Sequence, residues 1–164
     1  MKLIPTLLLA SGALVSLQAA EPVKPNIIVI FTDDHGWADI GGQGIQKDIR
    51  TPNIDSLATG GLLATNGYVT APQCVPSRAG LLSGRYQTRF GVDGNGDDLT
   101  GFDAQTTIGD RLKKAGYVTG MTGKWHLGPP GKITTHGFDE AYPDQGKDDG
   151  VYHLEANSAA ACNF

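Results

Sequence analysis

"PNIIVIFTDDHG", residues 25–36, sets an uninterrupted apolar run against an abrupt pair of carboxylates. Ile27, Ile28, Val29, Ile30 and Phe31 follow one another with no polar alternation, and β-branched residues dominate. Such a run predicts a strand covered on both faces, as in the parallel sheet of an α/β protein. Asp33 and Asp34 then fall just past the carboxyl end of that strand, where open α/β sheets collect their ligands. Adjacent carboxylates suit a hard divalent cation, because carboxylate oxygens are its preferred ligands. A solvated turn with capping duty is the competing reading of the pair.

Outward from this stretch, strand and helix signals alternate. In "TPNIDSLATGG", residues 51–61, Thr51 can cap, Pro52 suits the first helical position and Gly60-Gly61 end the helix. "LLATNGYVT", residues 62–70, reads weakly as a strand. "PSRAGLLSG", residues 76–84, predicts a short helix closed by Gly84. The clearest helix is "TTIGDRLKKAG", residues 106–116, with a threonine cap, Ile108 and Leu112 on one face, two lysines in the last turn and Gly116 as the stop. "YVTGMTG", residues 117–123, predicts another strand that runs into Lys124, Trp125 and His126. Beyond Pro129 the pattern dissolves into Gly, Asp and Pro.

The bulk numbers fit one globular core. The chain has 164 residues, 40% of them hydrophobic and 18% charged. A net charge of −4 gives no electrostatic case for a nucleic-acid partner. The 23 glycines are about twice ordinary usage and cluster in loops such as GGQG and DGNGD. Residues 1–20, MKLIPTLLLASGALVSLQAA, have the layout of a secretory signal peptide, an early lysine, an apolar run and then small residues. A membrane anchor is the other reading, weakened by Pro5, Ser11, Gly12 and Gln18. The expectation is export to a periplasmic or extracellular space, with no stable membrane span. Two cysteines in an exported protein permit a Cys74–Cys162 disulfide.

Three loops carry residue types that can do chemistry together. Lys124 and His126, at i and i+2 in an extended segment, aim to one side, where a cation and an imidazole can bind an oxyanion and move a proton. A surface turn is the plain alternative. Arg78 lies one helical turn after Cys74, and a cation and a helix N-terminus both favour an anion beside that cysteine. "DGNGDDLTGFDA", residues 93–104, begins like a calcium loop, but Asp98 stands where that motif wants glycine and Ala104 where it wants glutamate. It reads as a glycine-rich surface loop. His35 is a ligand or an ordinary packed histidine, and His136 and His153 have no visible partner.

Taken together, these blocks resemble the type I, formylglycine-dependent sulfatases of the alkaline phosphatase superfamily. "CVPSRAGLLSG" resembles the family signature, "PNIIVIFTDDHGWADIG" its first strand and acidic pair, "TPNIDSLATGG" its first helix, and "GYVTGMTGKWHLG" its Lys/His segment. The resemblance runs from residue 25 to about residue 140, in the family's order. It implies an alkaline phosphatase-like α/β fold, with a mixed, mostly parallel sheet flanked by helices. It also implies that residues 21–164 are the N-terminal portion of a longer catalytic domain, inactive alone, because the family's remaining ligands come from downstream segments. Asp144, Asp148, Asp149 and His153 match no family motif and receive no role.

The same resemblance implies the chemistry. Cys74 matches the cysteine that a formylglycine-generating enzyme oxidises to Cα-formylglycine in the unfolded chain, and the aldehyde hydrate is the nucleophile. Asp33 and Asp34 match ligands of a divalent metal, most often calcium, that also meets the group at Cys74. Arg78 matches the residue that steadies the hydrate, while Lys124 and His126 match groups that contact hydrate and sulfate. The substrate class implied is a sulfated carbohydrate or an aryl sulfate. A phosphate or phosphonate ester hydrolase of the same superfamily, and a secreted non-catalytic module with an inert or disulfide-bonded Cys74, stay open as alternatives.

Overall fold

A computed structural model describes residues 23–143. Residues 1–20, where a signal peptide is expected, Cys162 and with it the Cys74–Cys162 disulfide that two cysteines permit, His153 and the acidic residues 144, 148 and 149 lie outside them. The chain divides into two units, Met1–Thr32 and Asp33–Phe164.

In the first unit, residues 23–32 carry no regular secondary structure. This departs from the strand expected there. Ile28 and Ile30 are 85% and 78% exposed. An apolar run becomes a strand only when neighbouring chain supplies ladder partners, and among the described residues the two strands that form pair only with each other.

Among the described residues, the second unit holds four α-helices and a parallel pair of strands, an α/β arrangement. Helix α1 spans Pro52–Gly60, α2 Cys74–Ser83, α3 Thr100–Asp103 and α4 Ile108–Lys114. Strand β1, Gly120–Gly123, pairs in parallel with β2, Glu140–Pro143, with Gly120 opposite Glu140. Parallel neighbours need a crossover, supplied here by a connection that includes the short 3-10 turns Pro130–Lys132 and Thr134–His136. Strand β2 has no counterpart in the sequence reading. The weak strand expected at 62–70 is absent. A turn at Thr65–Asn66 breaks it, and Leu62, Leu63, Tyr68 and Val69 are exposed.

Local chemistry explains where the helices begin and end. Thr51 does not cap α1 by its side chain. Its hydroxyl accepts from the Gly41 amide at 2.7 Å and donates to Asp55 at 2.9 Å, fastening the preceding loop to the helix. Helix α2 starts at Cys74 itself, two residues before the expected Pro76, and stops at Gly84, whose φ of 65° suits a residue without Cβ. In α4, Thr107 and Asp110 form a reciprocal capping box. Its far end closes with Gly116 donating to Lys113 at 2.9 Å and Tyr117 to Leu112 at 3.0 Å.

The core gathers Val75, Ala79, Val92, Phe102, Trp125, Leu127, Ile133 and Phe138. Helix α2 and the segment after β1 therefore share one apolar cluster. Phe102 lies fully buried against Trp125, ring centroids 6.2 Å apart. Thr107 is buried as well, and besides its cap it donates to the His136 carbonyl at 2.6 Å. Replacing Thr107 by alanine is expected to lower the unfolding free energy by about 1–2 kcal/mol, with serine retaining most of it. Urea unfolding followed by tryptophan fluorescence checks this, and coincident midpoints for the three proteins would exclude the cap as a stabilising element.

Candidate active site

Asp33 is the hub of the polar cluster. One carboxylate oxygen accepts from Arg78 Nη2 at 3.0 Å and the other from Lys124 Nζ at 2.7 Å. Lys124 Nζ lies 3.3 Å from Cys74 Sγ, and Arg78 Nη1 donates to the Lys124 carbonyl at 2.7 Å. Arg78 is buried, while Asp33, Cys74 and Lys124 are half-buried. Four residues drawn from three distant segments thus share one network.

Each is aimed by its local backbone. Asp34 has a φ of 50°, a left-handed conformation that carboxylate and amide residues tolerate better than most. In a straight strand, successive side chains would point to opposite faces. Here ligand atoms of Asp33, Asp34 and Cys74 lie within 4.8 Å of one another. Trp125 is 4% exposed and points into the core, so its neighbours Lys124 and His126 are left to the polar side. His126 also has a positive φ, 56°.

The electrostatics divide the basic groups by role. Burial disfavours the Lys124 ammonium, but the hydrogen bonds it donates to Asp33 and Cys74, with the Asp33 charge, outweigh it and hold its pKa above the ordinary lysine value. His126 moves the other way. Partial desolvation of its ring, which remains exposed on one side, then the charges of Lys124 and Arg78, lower its pKa from 6.5, against the opposing pull of Asp33. At neutral pH the site therefore offers a charged lysine, a charged arginine and a neutral imidazole.

The residues fit a hard divalent cation as far as they go. Asp33 and Asp34 present converging carboxylates, the oxygen donors such a cation prefers, and Cys74 stands beside them. The thiol is free and half-buried.

The other histidines stay outside this cluster. His35 Nε2 lies 3.3 Å from the Asp39 carbonyl in a local turn. His136 is buried beside Phe102 and Trp125 and faces Asp103 at 3.4 Å. The loop at 93–98 is knotted by its own amides, with Asp97 accepting from Asp93 and Gly94 at 2.6 and 2.7 Å. Asn95 in that loop, read in the sequence only as part of the calcium-like pattern with Asp93 and Asp97, accepts from the Val75 amide beside Cys74. A signal for it existed: the cap position of α2 carries Gln73, not one of the preferred short polar residues.

Comparison with known proteins gives the family. The Sulfatase family model matches residues 25–156. N-acetylgalactosamine-6-sulfatase of Mus musculus is 40% identical over 147 residues, which cover 82% of this chain and 28% of that protein. Arylsulfatase A of Bos taurus is 43% identical over 142 residues, covering 81% and 26%. The crystal structure of Ps i-CgsB superposes with a TM-score of 0.68 at 42% identity, covering 76% of this chain and 29% of that one. Its complex with k-i-k-neocarrahexaose gives 0.58 at 38%, covering 70% and 27%. The chain belongs to the sulfatase family, and its fold is the alkaline phosphatase-like α/β fold expected. It spans about a quarter of the length of the curated relatives it matches.

The network separates Asp33 from Asp34 experimentally. Asp33 faces two cations at the edge of the core, whereas Asp34 is exposed. In chelator-treated protein, Asp33→Asn is expected to cost about 2–4 kcal/mol of stability, and Asp34→Asn less than about 0.5 kcal/mol. Denaturant midpoints measure both, and equal losses would contradict the hub role of Asp33.

Proposed function

We propose that the protein to which this chain belongs hydrolyses sulfate esters through a Cα-formylglycine formed from Cys74, with Asp33 and Asp34 contributing ligands to a divalent metal, calcium. The observation that carries the reading is the Cys74 side chain at the first turn of α2, 3.3 Å from a charged lysine and beside two converging carboxylates. Family membership supports the same chemistry. The names N-acetylgalactosamine-6-sulfatase and arylsulfatase A, and the oligosaccharide in the Ps i-CgsB complex, support a carbohydrate or aryl sulfate as substrate.

The residues take distinct parts. When bound, the metal draws charge from the sulfate oxygens and acidifies the hydrate. Arg78, held by Asp33 and by the Lys124 carbonyl, steadies the hydrate at residue 74. One hydrate hydroxyl attacks sulfur, the S–O bond to the ester alcohol breaks, the hydroxyl proton leaves with that alcohol, and Lys124 offsets the charge developing on the transferred group. His126, neutral at pH 7, takes the proton from the remaining hydroxyl. The aldehyde re-forms as its bond to sulfate breaks. A serine or thiol has a single heteroatom on its carbon and cannot expel sulfate in this way, which is the chemical reason to convert the cysteine.

Residues 1–20 serve in this reading as an export signal, and residues 21–164 as part of the catalytic domain. No helix among the described residues is long and apolar enough to cross a membrane.

Peptide mass spectrometry of the full-length protein, made with a formylglycine-generating enzyme, tests the central claim. The Cys74 peptide is expected to carry the aldehyde mass, and Cys74→Ala to abolish turnover of aryl sulfate. Sulfate-ester turnover with an intact thiol would refute the mechanism, and a strong preference for aryl phosphate would refute the substrate class.

The pH profile tests His126 separately. Protonation removes the lone pair the base uses, so activity falls as pH drops through the imidazole pKa. Because that pKa is lowered, the acid limb of kcat/KM is expected to have its midpoint below 6.5, and to vanish from the residual activity of His126→Ala. A midpoint above 6.5 that survives the substitution would assign the base elsewhere.

A further inference from the structure

Helix α2 has an unusual beginning. The first amides of a helix lack intrahelical acceptors and need partners from outside. Gln73 occupies the cap position, yet its side chain makes no cap bond to the helix. Pro76 has no N–H to donate, and the Ser77 amide already bonds the Gln73 carbonyl at 3.1 Å. The Val75 amide, in a residue only 2% exposed, receives its acceptor from far along the chain: Asn95 Oδ1 at 3.0 Å.

The pairing is reciprocal. The Asn95 amide donates to Gln73 Oε1 at 3.2 Å, across 22 positions of sequence. This is the logic of a capping box, split between the helix and a distant loop. The loop is itself held at both ends. Val92 is fully buried before it, the Asp97 carboxylate gathers two amides within it, and Asp98 accepts from the Thr100 amide and hydroxyl at 3.1 and 2.8 Å where α3 begins. Those backbone hydrogen bonds keep the pKa of Asp97 low.

We propose that Asn95 is a positioning residue for the reacting group at Cys74. Acting through the Val75 amide, it holds the first turn of α2 and so the direction in which the residue-74 side chain leaves the helix toward Lys124. Cys74 is the first residue of α2, so fraying of that turn moves it directly. Displacement of a reacting group by about 1 Å can cost on the order of a hundredfold in rate. The inference rests on the function proposed above. It adds a residue outside the segment read by the maturation enzyme, so conversion of Cys74 and its use in catalysis become separable.

The experiment compares full-length wild type, Asn95→Ala, Asn95→Asp, Gln73→Leu and the Gln73→Leu/Asn95→Ala double variant. Cys74 conversion is read by peptide mass, kcat and KM with aryl sulfate, and Val75 amide protection by hydrogen exchange. Asn95→Ala is expected to convert normally and to lose about tenfold in kcat, with KM changed less than about twofold. Asn95→Asp keeps the acceptor and is expected to recover to within about twofold of wild type. Gln73→Leu loses less, and the double variant is no worse than Asn95→Ala, because both break one clamp. Unchanged kcat in Asn95→Ala, an aspartate variant as slow as the alanine one, or additive losses would each overturn the proposal. Should Asn95→Ala fail to fold, Gln73→Leu at an exposed position decides it: a fall in kcat with normal conversion supports the clamp, and wild-type kcat overturns it. If converted wild type turns over no sulfate ester, the functional reading has failed, and hydrogen exchange still decides the clamp. Faster Val75 exchange in Asn95→Ala than in Asn95→Asp upholds it, and equal rates overturn it.

Discussion

The candidate site hangs on the carboxylate of Asp33. It accepts from Arg78 on α2 and from Lys124 after β1, so it ties together segments that are 45 and 91 positions away in sequence. Removing a charge from such a network leaves partners facing one another at the edge of an apolar core, where desolvation makes uncompensated charge costly. Asp33 is thus both a candidate metal ligand and the counter-ion that allows two cations to stand beside Cys74. The raised pKa of Lys124 follows from that arrangement, because bonds to Asp33 and Cys74 outweigh the cost of burial.

Apolar packing sets the frame in which this hub works. Val75 and Ala79 of α2 and Trp125 and Leu127 of the following segment belong to one core cluster. Anchoring Trp125 orients Lys124, and anchoring Val75 orients Cys74. The polar groups then meet because their apolar neighbours are packed, while the Asn95–Gln73 clamp trims the start of the helix. The glycine-rich loop that resembled a calcium motif has a definite structural occupation, holding the helix end that carries the cysteine.

Much of the site was legible in the sequence because chemistry at one point in space requires particular residue types, and four short blocks carry them. The helix at 108–114 was legible because its cap, its apolar face and its stop are all local. Strand signals were less secure. Apolar content at 25–32 reads as a strand, but a ladder depends on partners that local sequence does not name, and those residues carry no regular secondary structure and are mostly exposed. The missed β2, Glu140–Pro143, lies in a stretch with little hydrophobic periodicity, and it exists because β1 offers it a register. The capping contact of Asn95 escaped notice for the same reason: its acceptor serves an amide 20 positions away.

By itself the sequence determined the family, the order of the blocks and the identities of the groups at the site, since these depend on residue type and short-range spacing. It also determined both ends of α4 and the stop of α2 at Gly84, where a capping side chain and glycines act within a few residues. Only the tertiary structure decided that Asp33 bridges Arg78 and Lys124, that the left-handed backbone at Asp34 brings two neighbouring carboxylates together, and that Asn95 completes the helix at Cys74. Each of those is a contact between segments far apart in the chain. Its existence is settled by how the core packs and where the chain turns, quantities that no local pattern of residues contains.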